Sequence, residues 1–306
     1  SNLNASRISK IGKDALERIH AEMRREFKAL GYDDEKGLPN LYRKLARDGG
    51  VVTGSQIVPA YEQIIREAKK RTAALFSVKP GTEVIVIGSQ LGGAYMAPAL
   101  DGSRPGIFYT CDKGDIPRFS MASLAYHEAI PGHHHQMALA QELDLPLLRR
   151  DIGFTSFIEG WALYAERLAK EIGLYDNDPL GNLGRLQYEA YRAARLVVDT
   201  GIHARRWTFQ RAVDFMVRNT GMNRSNMQGE VIRYISTPGQ AAAYYIGFMK
   251  IMELRERVRG VLGKRFDLRE FHDILLGNGA LPLPVLENVV DDFIASKNPR
   301  TAPPTG

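Results

Sequence analysis

Four of the chain's seven histidines fall inside one short segment, Tyr126-His127-Glu128-Ala129-Ile130-Pro131-Gly132-His133-His134-His135-Gln136. A hydrolytic zinc site needs two or three neutral imidazoles, often one carboxylate, and an open position for water. It also needs a carboxylate that is not a ligand, to take the proton from that water. His127 followed by Glu128 supplies one ligand and one base side by side.

The common arrangement is H-E-x-x-H, with its histidines one turn apart on a helix. Here the residue four after His127 is Pro131, not histidine. Proline cannot donate to the carbonyl of His127 and its ring collides with it, so the helix must kink or bulge. On an unbroken helix His133 would sit ~240° around from His127, and His134 would share its face but lie ~10.5 Å along the axis. If Pro131 and Gly132 are looped out, His133 takes the place of the missing histidine. His133 is therefore the expected second ligand, with His134 as the alternative. A third ligand must come from elsewhere, and Glu159 in Phe157-Ile158-Glu159-Gly160-Trp161 is the candidate. Glu159 also stands three residues after Ser156, the spacing of a capping box. Glu166, two turns further along the same face, suits a supporting or ion-pairing group.

These residues need rigid elements to hold them. Leu16, Ile19, Met23 and Phe27 recur at helical steps and predict a helix over 12–30; a second is expected over 59–76. The β-branched run 83–88, with 94–98 and 106–110, predicts a small sheet near 83–111. From Ser120 onward the pattern is helical. Ser120 is a candidate cap for the helix carrying His127, and Ser156 for the one carrying Glu159, which Gly173 would stop. Further helices are expected at 181–198, 204–220, 226–235, 239–262 and 284–295. The fold class is mainly α with a small β-sheet, in one domain over 1–295 with a flexible tail over 296–306.

Composition narrows the function. Of the 306 residues 44% are hydrophobic and 25% charged, the balance of an ordinary globular chain. The net charge of +6 comes from scattered pairs such as Lys69-Lys70 and Arg205-Arg206, which read as solvated helix faces and not as a nucleic-acid footprint. The single cysteine, Cys111, excludes an internal disulfide and a multi-cysteine zinc site. No apolar run reaches the ~18 residues of a membrane span. The start, Ser1 to Arg7, lacks the apolar stretch of a signal peptide and fits either the remainder of a cleaved precursor or an internal boundary. Neither compartment nor oligomeric state is assigned by these residues.

Several blocks resemble signatures of the DUF885 family. They are His127–Gln136, Phe157–Glu166, Arg195–His203, Arg233-Tyr234, Pro238–Ala241 and Phe266–Leu268 followed by Phe271-His272-Asp273. The match runs in order from about 8 to 295. The family is similar to gluzincin-type metallopeptidases, whose third zinc ligand is a glutamate on a following helix. The resemblance implies a multi-helical, metallopeptidase-like domain with a cleft, corresponding to the C-terminal half of longer family chains. An apolar residue is usual where this chain has His135, which makes it the least suited of the three consecutive histidines to function. In this setting His203, placed just past a helix end, and Tyr244 or Tyr245 are candidate oxyanion donors; Tyr244 is the one expected, with Tyr245 as a substrate-binding residue. Arg233 would hold a substrate carboxylate or an internal acid. Gly93, Ala94 and Tyr95 would pair with an extended peptide. The expectation is one zinc ion on His127, His133 and Glu159, Glu128 as general base, and a peptide or amide substrate. The alternatives are a zinc amidase acting on a non-peptide amide, and an inactive metal- or peptide-binding module whose site is closed by a fourth protein ligand such as His134.

Overall fold

The structure, a computed structural model, describes residues 3–33, 37–90 and 92–297. Helix α1 (Ala5–Ala29) starts at an Asn4 cap that accepts from the Arg7 amide, and it buries Leu16, Ile19, Met23 and Phe27 as their spacing predicts. Burial of each such side chain stabilises the fold by ~1.5–3 kcal/mol. Then follow α2 (Leu38–Gly49), β1 (Val51–Thr53), α3 (Ile57–Thr72), β2 (Val84–Ser89), β3 (Ala94–Met96), β4 (Gly106–Cys111) and β5 (Asp115–Pro117). The rest is helical: α4 (Arg118–Glu128), α5 (His133–Glu142), α6 (Leu147–Asp151), α7 (Thr155–Glu171), α8 (Pro179–Arg205), α9 (Phe209–Thr220), α10 (Arg224–Ser236), α11 (Gln240–Leu262), α12 (Leu268–Leu276) and α13 (Leu283–Lys297). The fold is thus mainly helical with a small mixed sheet embedded among the helices.

The three expected strands form one sheet in the order β2-β4-β3, with β4 parallel to β2 and antiparallel to β3. Strand β4, paired on both sides, is the most buried of the three. It packs on α3 through an edge-to-face contact of Tyr61 with Phe108, ring centroids 5.0 Å apart. The β1–β5 ladder, α2, α6 and α12 are not among the expected elements. Pieces of three residues are too short for a period, and α2 begins beside residues 34–36, outside the described set.

Helix α8 is the axis of the molecule. Its 27 residues, about 40 Å long, are buried nearly all round from Gly181 to Gly201, with α1, α4, α9 and α11 against it. Helices α7 and α11 approach so closely that side chains are excluded from the crossing. A Cβ on Gly247 would lie 1.7 Å from the Ser156 carbonyl oxygen, and one on Gly160 would lie 2.5 Å from the backbone of Gly247. This contact carries Glu159 of α7 and Tyr244 of α11 toward the same point.

Some expected boundaries are corrected. Ser120 does not cap α4, which begins at Arg118; its hydroxyl donates to the Pro117 carbonyl oxygen. The capping box at Ser156 does not form, because α7 starts at Thr155 with Phe154 as its cap residue and no side-chain cap bond. That releases Glu159 for another task. Gly173, with positive φ, follows the Ile172 cap of α7, as expected. Helix α8 runs through Gly201 to Arg205, so His203 lies in its last turn and not beyond its end. At the other end Ser296 and Lys297 belong to α13, while 298–306 of the expected tail lie outside the described residues.

Candidate metal centre

His127 and Glu128 close the last turn of α4. The expected kink is a full break. The Ile130–Pro131 bond is cis and α5 begins afresh at His133. Gly132 is required by close approach: a Cβ there would lie 1.9 Å from the His127 carbonyl oxygen and 2.3 Å from that of Tyr126. The Pro131 carbonyl accepts from the indole N–H of buried Trp161 at 2.9 Å, which ties this return to α7.

The break turns His133 back toward His127, with ring centroids 4.7 Å apart and edge to face. The Nε2 atoms of His127 and His133 lie 3.4 and 3.3 Å from one atom, Glu159 Oε2. One ligand atom from each of the three residues lies within 4.8 Å of the others. Donors ~2.0–2.2 Å from one ion in tetrahedral directions stand ~3.3–3.5 Å apart, so the two carboxylate–imidazole spacings fit a zinc-sized cation. Glu159 Oε2 is buried and accepts no hydrogen bond, an orphan that a cation would satisfy. The cluster could therefore chelate a metal ion.

Electrostatics agree. Burial would push His127 down, but the carboxylates of Glu159 and Glu166 hold it up at about 9. Burial would raise Glu159, yet the two imidazoles hold it well below the ordinary carboxylate range. Carboxylates that draw a proton onto His127 would equally draw a metal cation into its place. Glu166 acts from behind: its Oε1 accepts from His127 Nδ1 at 2.8 Å and its Oε2 accepts from the Ser123 hydroxyl. That bond places the ring proton on Nδ1 and aims the Nε2 lone pair at the cluster. Arg192 stands 3.7 Å from Glu166 Oε1 and offsets its charge. Glu128 is not in the ligand set. It is buried, and its carboxyl is raised by that burial.

Geometry separates the consecutive histidines. His134 Nε2 donates to the Thr82 carbonyl oxygen at 3.0 Å, and its Nδ1 accepts from the Tyr95 hydroxyl at 2.9 Å. Neither nitrogen is left for a metal, and burial pushes this ring down to about 4. His135 packs against Phe76 with centroids 4.1 Å apart and is pushed down by burial to about 3.

A cavity of about 860 Å³ opens beside the cluster, with His127 and Glu128 in its wall. Gly93 and Tyr244, both expected here, line it, as does Arg233. Tyr244 lies against Glu159, whose charge adds to burial in raising the phenol. Ala94 and Tyr95, expected beside Gly93, continue from it into β3, an edge strand of the sheet, and do not themselves line the cavity; the Tyr95 ring stacks 6.4 Å from that of His133. Tyr245 and His203 are placed farther away. The Tyr245 hydroxyl accepts from Arg18 Nη2 at 3.0 Å on the far side of α11, because successive helical residues diverge by ~100°. His203 donates to the Tyr234 carbonyl oxygen at 3.0 Å and does not line the cavity. An unforeseen wall of the cavity is formed by α8, where Tyr188, Tyr191, Arg192 and Arg195 recur at helical spacing. The signal was present as Arg192 and Arg195 among the alanines, leucine and valines of 190–198. Glu230 of α10 was missed as well, and its carboxyl, raised by burial, is held down at about 2 by Arg233 and Arg195.

The chain belongs to the DUF885 family, described as a bacterial protein of unknown function, which it matches over residues 1–290. Among solved structures it is similar to a provisionally designated lipoprotein from Colwellia psychrerythraea, with 39% identity and a TM-score of 0.93 over 97% of this chain and 53% of that one. A provisionally designated lipoprotein of unknown function from Shewanella oneidensis shares the fold, with 21% identity and a TM-score of 0.83 over 94% of this chain and 57% of that one. The chain thus spans about half the length of either. No curated protein matches it.

Proposed function

We propose that this chain is the catalytic half, residues 1–295, of a longer zinc-dependent hydrolase that cleaves peptide bonds. The observation that carries the reading is a three-residue ligand set with a separate, buried carboxylate beside it, opening on a cavity. Zinc held by His127, His133 and Glu159 would lower the pKa of a water and polarise the scissile carbonyl. Glu128, kept in a desolvated pocket, takes the proton from that water and later hands it to the leaving amine. The Tyr244 hydroxyl donates to the carbonyl oxygen as negative charge builds on it. Glu166 keeps His127 in the tautomer the site needs. Gly93 and the edge strand β3 give an extended peptide a backbone to pair with.

A closed structural site is disfavoured because His134, the expected fourth ligand, has both nitrogens engaged elsewhere. An amidase acting on a non-peptide amide would use the same groups, and a mixed peptide library separates the two. The helices contain no span long and apolar enough to cross a membrane among the described residues. The designation of the Colwellia relative supports export of a longer precursor. Glu128→Gln tests the mechanism, since it keeps volume and every ligand but cannot take a proton. Zinc content should be unchanged while cleavage of the library, read by mass spectrometry, falls ~10²–10⁴-fold. Cleavage that persists at the wild-type rate refutes the assignment of the base.

A further inference from the structure

Two guanidiniums in the cavity wall share a single carboxylate oxygen. Arg233 Nη2 and Arg195 Nη2 lie 2.7 and 3.1 Å from Glu230 Oε2. Arg195 is only 5% exposed, is enclosed by the rings of Tyr191, Tyr234 and Tyr244, and its Nη1 has no hydrogen-bond acceptor. The third guanidinium of the wall, Arg192, faces Glu166, which His127 and Ser123 already occupy. The other carboxylate lining the cavity, Glu128, is committed to proton transfer. One positive charge is therefore left over at Arg195 and Arg233, in a partly desolvated wall where an anion would be held strongly.

The position of that charge is specific. Arg233 Nη1 donates to Gln240 Oε1 at 2.7 Å, Gln240 Nε2 lies 3.5 Å from the Tyr244 hydroxyl, and Tyr244 lies against the ligand Glu159. Arg233 is thus two side chains removed from the metal cluster, the reach of one or two substrate residues. We propose, resting on the hydrolase reading, that Arg233 backed by Arg195 binds a substrate carboxylate one or two residues beyond the scissile bond. The substrate class is peptides trimmed at the C-terminus. Water adds across the C–N bond, its hydroxyl to the carbonyl carbon and its proton to the nitrogen, releasing a short C-terminal fragment. The Arg233 side chain is 35% exposed and Arg195 is buried. The first therefore makes the contact and the second supplies charge from behind.

The probe is a randomised pentapeptide pool in three forms: free acid, C-terminal amide, and amide with aspartate in the last position. Retention by zinc-loaded Glu128→Gln protein is read by ultrafiltration and mass spectrometry. The free acid should be retained about tenfold or more over the plain amide, the scale of a hydrogen bond to a charged group. Restoration by the terminal aspartate would assign the carboxylate to a side chain as well as to the chain end. Arg233→Ala should bring the three forms to within about twofold, and Glu230→Gln, which releases both guanidiniums, should strengthen retention of the acid. Equal retention of all three forms, retention of none, or a preference that survives Arg233→Ala overturns the proposal. Wild-type protein that cleaves no pool while the Glu128→Gln protein still selects acids would refute the hydrolase reading alone. Equal cleavage of acids and amides would refute the carboxylate reading alone.

Discussion

Glu166→Gln removes one negative charge and leaves the side chain's length intact. In the structure this carboxylate takes the His127 Nδ1 proton at 2.8 Å on one oxygen and the Ser123 hydroxyl on the other, with Arg192 at 3.7 Å. An amide has one accepting oxygen, so the variant can serve His127 or Ser123 but not both as before. A hydrogen bond to a charged group contributes ~1.5–3 kcal/mol and a neutral one ~0.5–1.5. The difference of about 1–1.5 kcal/mol corresponds to at least several-fold in metal affinity. Outer partners of ligating histidines elsewhere cost ~10–100-fold when removed. We expect zinc affinity, measured by competition with a chromophoric chelator, to fall by about tenfold or more. Arg192, buried and left without its counter-charge, should also lower the stability of the metal-free protein, by an amount bounded by the ~3–5 kcal/mol of a broken buried pair. The control is Glu171→Gln, which loosens the Arg255 Nη2–Glu171 ion pair of 2.6 Å. It should cost stability without touching zinc affinity. Zinc binding by folded Glu166→Gln within about twofold of wild type would refute the orientation of His127 by Glu166.

The neighbouring histidines should part company under substitution. His133→Ala should abolish stoichiometric zinc in elemental analysis, whereas His134→Ala should keep it and lose ~1–3 kcal/mol of stability, because the Thr82 and Tyr95 groups it satisfies go unpaired. Equal loss of metal would show a four-ligand centre. Acid should destabilise the protein through His272, which is fully buried and pushed by burial down to about 4, its Nδ1 donating to the Leu75 carbonyl and its Nε2 accepting from Tyr164. Its folded-state value lies below the unfolded 6.5, so the unfolded chain binds the proton first. The neutral ring's contribution is complete above pH 6.5 and is lost as pH falls toward 4, at most about 3 kcal/mol. Urea unfolding at pH 7 and pH 4.5 should show that loss. A His272→Gln protein with the same pH slope would disprove the assignment to this residue.

Much of this molecule was legible along the chain, for local reasons. The helices and strands follow from the spacing of apolar residues, as in Leu16, Ile19, Met23 and Phe27 of α1. His127, Glu128 and His133 could be named because proline and glycine chemistry acts on the adjacent backbone, although a break was needed where a kink was expected. Glu159 was legible only as a choice between cap and ligand. The packing of α7 removes the cap by starting the helix two residues early, and it turns Oε2 toward two imidazoles. What the sequence could not supply is everything that depends on which elements meet. Tyr244 and Tyr245 are adjacent and chemically alike. The glycine crossing of α7 and α11 presents one to the cavity and leaves the other facing Arg18. His203 reads like a catalytic residue beside a helix end, yet the continuation of α8 commits it to the Tyr234 carbonyl. Arg192, Arg195, Glu230 and Arg233 come from two helices that carry no shared motif, and their charge balance exists only once α8 and α10 form walls of one cavity. Periodicity and backbone chemistry are properties of neighbours in sequence, whereas the sharing of a carboxylate or a metal is a property of neighbours in space.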